Sequence, residues 1–174
     1  SHGSWLAGVT ETTFRVTKGQ GGLQLRYSGI SDLELRSSIP SDDPLAQFGA
    51  YGASLGGFYK SEFGDGLFIG VSMKAIGFQI YDNSSTGFAA DIGFAKMIRK
   101  NINLGFSILN LGSMSSLANM APNLPVRMLG GINYLSSFAG LEYRVLASFE
   151  RSSMSSNMLY RLGNEFKWQK ISLQ

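Results

Sequence analysis

Apolar and polar residues alternate along this chain with a period of two, and that pattern constrains the fold more than any other feature. In Leu23-Gln24-Leu25-Arg26-Tyr27-Ser28 every odd position is apolar and every even one polar. Leu141 to Glu150 repeats the pattern, with Leu146 its single lapse. Asn101 to Ile108 does so with the apolar set on even numbers. Successive strand side chains point to opposite faces, so each segment has one apolar face and one polar or small one. A helix would need apolar residues three and four apart. Glycine pairs such as Gly56-Gly57 and Gly130-Gly131 also disfavour helix. The expected fold class is all-β.

The alternating segments and the turn residues between them give nine strands, over 4–17, 22–29, 46–60, 66–81, 86–98, 101–112, 124–135, 139–150 and 157–168, with a stub opening at Ile171. Connections alternate in character. Lys18 to Gly21, Ser61 to Asp65, Arg99-Lys100, Ser136 to Phe138 and Gln169-Lys170 are short, as tight hairpins require. Segments 30–45, 113–123 and 151–156 are longer and rich in Ser, Asp, Asn or Pro, while 82–85 is a brief polar turn. Short turns at one end and longer loops at the other describe an up-and-down antiparallel sheet forming one domain over residues 1–174.

A soluble barrel points its apolar face inward, and an outer-membrane barrel points it outward to lipid. Strand length favours the membrane, because a soluble strand averages about five or six residues and a membrane strand needs about 9–11. The polar face carries charges of both signs at mid-strand: Arg15, Arg26, Lys74, Asp91, Arg127, Glu142, Arg144, Arg161 and Glu165. These nine form the expected lumen lining, with cross-strand ion pairs tying neighbouring strands. Aromatics gather near strand ends, at Trp5, Phe14, Tyr59, Tyr81, Phe88, Tyr134, Phe149, Phe166 and Trp168, where interfacial girdles sit. Charged residues are 16% of the chain, against about 25% in an ordinary soluble domain.

Composition excludes other classes. Without Cys there is neither a disulfide nor a thiolate metal ligand. No apolar run exceeds six residues even counting Gly, as in Gly66 to Val71, where a membrane helix needs about 18. A net charge of +3, scattered along the chain, gives no nucleic-acid surface. Gly52-Ala53-Ser54-Leu55-Gly56 matches the nucleophile-elbow pattern, but Ser54 sits inside an alternating segment and the single His, His2, lies upstream. No catalytic, cofactor-binding or metal-binding residue is expected, and the protein reads as non-enzymatic. Asp32, Glu34, Asp42 and Asp43 lack the ligand spacing of a calcium loop and read as solvated. Asn83-Ser84-Ser85 reads as a polar turn, and Met114, Met120, Met154 and Met158 fall in or beside the long loops.

The run GVSMKAIGFQIYDNSSTGFAADIGFA, then NINLGFSILNLG and LPVRMLGGINY, resembles the PorV/PorQ family of outer-membrane barrels within the FadL-like group. The matching features are the strand with Lys74, the short polar turn, the strand with Asp91, the strand end Leu109 to Gly112 and the re-entry at Leu124-Pro125. The resemblance implies a bacterial outer-membrane barrel of about fourteen strands. It implies a role in protein secretion or surface attachment of the type IX kind. Its partners would be the lipid bilayer, secretion-system proteins and secreted cargo. The alternative is a FadL-like transporter of hydrophobic small molecules. Nine strands and a stub would then be an incomplete piece of that barrel, cut at both ends, and the sheet is expected to stay open.

Overall fold

The structure is a computed structural model that describes residues 2–4, 8–36, 42–117, 121–138, 140–168 and 171–173. It is all-β, with no α-helix among the described residues. Eleven strands follow one another: β1 (His2–Ser4), β2 (Thr10–Lys18), β3 (Gly21–Leu35), β4 (Ala46–Phe63), β5 (Leu67–Ile80), β6 (Asn83–Arg99), β7 (Ile102–Met114), β8 (Arg127–Phe138), β9 (Leu141–Ser152), β10 (Met158–Trp168) and β11 (Ile171–Leu173). They form one sheet in chain order, β1 to β11, an up-and-down meander whose first and last strands are not joined among the described residues.

Several boundaries differ from the sequence reading. β4 runs on to Phe63, and β8 begins at Arg127 and takes in Ser136 to Phe138, which were expected to form a turn. β7 and β9 each run two residues further than expected, to Met114 and Ser152. The strand expected over 4–17 is two strands, β1 and β2, paired antiparallel with His2 opposite Thr12 and Ser4 opposite Thr10. Gly8, in the connection, has φ +75°, a conformation that costs glycine nothing. β3 continues past residue 29 to Leu35, passing through Asp32 at φ +60°, a conformation Asp tolerates better than most residues. The β5–β6 turn is Tyr81-Asp82, so Asn83-Ser84-Ser85 opens β6 instead of forming the turn. Ser85 is buried there, its hydroxyl donating to the Ser115 carbonyl at 2.6 Å. Trp5, Met120 and the turn Gln169-Lys170 lie outside the described residues.

The residues gather into two compact units. The first comprises Ser1–Phe58, Ser72–Ala89 and Gly112–Leu124. Here β2 and β3 pair with Phe14 opposite Leu25 and Val16 opposite Leu23, while Arg15 faces Gln24 and Thr13 faces Arg26. Directly opposed residues share a face, so the register puts the apolar set on one side and the charges on the other. The apolar side is exposed, with Phe14 63% and Leu23 62% accessible. Tyr27 and Tyr51 stack with centroids 6.3 Å apart. A side chain at Gly29 would meet the Tyr51 ring at 2.8 Å, so glycine there leaves the ring its place.

The second unit comprises Tyr59–Val71, Ala90–Leu111 and Pro125–Gln174. Registers through β7, β8, β9 and β10 set Leu104 beside Ile132, Ile132 beside Ala147 and Ala147 beside Leu162, which is 82% exposed. Leu141, Tyr143, Val145, Ala147 and Phe149 therefore share an apolar face, and Glu142, Arg144, Leu146, Ser148 and Glu150 share the other. In a water-soluble sheet these apolar rows would be the buried ones.

Candidate functional site

The polar face of the second unit carries most of the chemistry. Glu150 on β9 stands opposite Leu129 on β8 and Leu159 on β10. Arg127 and Arg161 sit two residues from those partners, at the diagonal spacing that long side chains can bridge. Both reach Glu150: Arg127 Nε donates to Oε1 at 2.6 Å and an Arg161 amino group to Oε2 at 2.8 Å. One carboxylate thus ties three strands together. Arg144 and Glu165 are direct cross-strand partners and pair at 2.9 Å. Glu142 faces Lys167 in the same register without closing an ion pair.

Asp91 makes a contact to the backbone of the neighbouring strand. Its carboxylate accepts the backbone N–H of Asn110 at 2.7 Å. Asn110 has φ +62°, and its side-chain amide donates to the Pro125 carbonyl at 2.9 Å. Asp91 and Asn110 together link β6 and β7 to the segment that leads into β8.

In the first unit Arg26 pairs with Glu11 at 2.9 Å, again on the diagonal, since Arg26 faces Thr13. Arg15 lies over the Phe58 ring, 4.1 Å from its centroid, a cation–π contact. The same ring covers Gly22, where a side chain would meet it at 2.6 Å. Lys74 is half-buried beside Gly56, whose missing side chain would stand 2.8 Å from the Lys74 Cβ. Of the nine residues, Arg15 and Arg26 thus share the polar face of β2–β3, and Arg127, Glu142, Arg144, Arg161 and Glu165 share that of β8–β10.

The second unit also contains a hollow of about 650 Å³. Gly93, Gly105 and Gly131 line it together with Phe68, Leu129 and Leu146. Lys60, Asn133 and Ser148 are among its polar lining residues. Leu146, the lapse in the alternation, is here an apolar wall on a polar face. Asn133 Oδ1 is covered and has no hydrogen-bond donor among the described residues.

Sequence reasoning missed Glu11 and Glu150, the carboxylates that anchor three of these ion pairs. Glu150 was within reach, because it continues the even-numbered polar set that begins at Glu142. Ser54 lies inside β4, which runs unbroken to Phe63, so the strand-to-helix turn of a nucleophile elbow is not formed. His2 Nδ1 shares a hydrogen bond with Thr12 Oγ1 at 2.8 Å. Asp32 and Glu34 lie in β3, Glu34 pairs with Arg36, and no group of three potential metal ligands occurs among the described residues. No protein-family model matches the sequence, and no curated protein matches it.

Proposed function

We propose that the chain belongs to a bacterial outer-membrane β-barrel of the PorV/PorQ type, a non-enzymatic component of protein secretion or surface attachment. The observation that carries the membrane part is the sorting of charge over β8 to β10. Arg127, Glu142, Arg144, Glu150, Arg161, Glu165 and Lys167 all lie on one face, and the opposite face is uncharged from Leu141 to Phe149. A charge at the midplane on the lipid side costs about 2–4 kcal/mol, so this sorting fits lipid on the apolar face. The family step rests on the resemblance of residues 70–95, 101–112 and 124–134.

Single cysteines placed in turn along 141–149, with the protein in liposomes, test the membrane reading. Labels at odd positions should be quenched by a lipid-soluble agent and those at even positions spared. Uniform quenching would sink it. For the secretion role, loss of the protein should deplete surface-anchored proteins while uptake of hydrophobic compounds is unchanged.

The glycine-floored hollow favours a second reading, a FadL-like passage for hydrophobic small molecules. Gly105→Phe should then abolish binding of an apolar fluorescent probe, and unchanged binding would remove this reading.

A further inference from the structure

One charge breaks the sorting described above. Arg151 lies on the apolar face of β9, opposite Met128 on β8 and Met158 on β10. It is exposed and makes no ion pair among the described residues. The row just inside it is Gly130, Phe149 and Tyr160. Phe149 lies over Gly130, where any side chain would collide with its ring, and Tyr160 is 71% exposed.

At the other end of the same face stands the row Phe138, Leu141 and Trp168. Ten residues of β9 separate Leu141 from Arg151, or about 33 Å at roughly 3.3 Å per residue. Strands of membrane barrels tilt by about 40°, which reduces this to about 25 Å, the usual height of a lipid-facing band. The only charge on this face of β8–β10 therefore falls where the apolar band ends. It is also the end that carries the longer loop, 153–157, and longer loops mark the outer side of such barrels.

We infer that Arg151 binds the phosphate of an outer-leaflet lipid headgroup, an inference that rests on the membrane reading above. A guanidinium presents donors in a planar fork that matches phosphate oxygens. Its aliphatic stem can lie along Met128 and Met158 while the head extends beyond the acyl region. Tyr160 next to it supplies an amphipathic ring at the same boundary. The polar face has carboxylates within reach of its arginines, whereas β8–β10 place none on the face of Arg151. That leaves its donors open to an acidic group from the surroundings.

The test uses the chain in phosphatidylcholine liposomes containing lipid A, with or without its phosphates. Lipid A retained after detergent extraction is counted by native mass spectrometry. Wild type should prefer the phosphorylated form. Arg151→Gln should lower that preference about fivefold, the effect of one basic residue at an anionic surface. Arg151→Lys should keep most of it, and Lys167→Gln, on the other face, should leave it unchanged. Equal preference in wild type and Arg151→Gln, or an equal loss in Lys167→Gln, would overturn the assignment. So would displacement of lipid A by an equal concentration of inorganic phosphate, which would make the site a reader of free anions. The period-two quenching of labels along 141–149 is measured on the same samples. If it persists while the preference does not depend on Arg151, this inference alone fails. If it is lost, the membrane reading fails first.

Discussion

The Asp91 carboxylate accepts the Asn110 backbone N–H at 2.7 Å, where Asn110 holds the left-handed φ of +62°. Asp91→Ala removes that acceptor and should cost about 1–3 kcal/mol in a liposome unfolding titration. Asp91→Asn keeps an acceptor oxygen and should cost less. Equal costs for the two would show that the charge, not the hydrogen bond, is what the site uses.

Val145→Arg puts a charge near the middle of the apolar face and should destabilise the folded protein by about 2–4 kcal/mol. Ser148→Arg, on the polar face, should cost much less. Denaturant titration of both variants in the same lipid decides it, and the reverse order would invert the two faces.

Gly112 passes so close to β6 that an added methyl group would overlap the Phe88 carbonyl oxygen and stand 2.7 Å from the Ala89 Cα. Both obstacles are backbone, which cannot swing aside. Gly112→Ala should therefore cost about 1–3 kcal/mol. Gly105→Ala meets only the Phe94 carbonyl at 3.8 Å, an ordinary contact, and should stay well below that in the same titration.

Arg144 and Glu165 pair at 2.9 Å with both side chains partly open to solvent. A double-mutant cycle with Arg144→Gln and Glu165→Gln should give a coupling of about 0.2–1 kcal/mol that shrinks as salt is added. A coupling that resists salt would mean the pair is shielded from water.

The strands and their faces were legible in the sequence because a period of two is a local property. Leu141 to Phe149 and Leu23 to Tyr27 carry it without reference to any neighbour. The partners of the charges were less legible, because a diagonal contact depends on register. Arg26 meets Glu11, and Arg127 and Arg161 meet Glu150, only once β2, β8 and β10 have slid into place beside their neighbours. The Asp91–Asn110 bond depends on a backbone conformation that no alternation announces. The break between β1 and β2 falls among residues whose alternation fits one strand.

Among the described residues every strand from β2 to β10 is bonded to the strand before it and the strand after it in the chain, and β1 and β11 to one neighbour each. Such a sheet is modular in steps of two. Excising a hairpin such as β8–β9 would bring β7 and β10 together still antiparallel and leave the remaining turns at their own ends. Excising a single strand would set two parallel neighbours side by side and demand a long crossover in place of a turn. The width of the sheet is thus a quantity that this architecture can change by whole hairpins, with no other pairing rewritten.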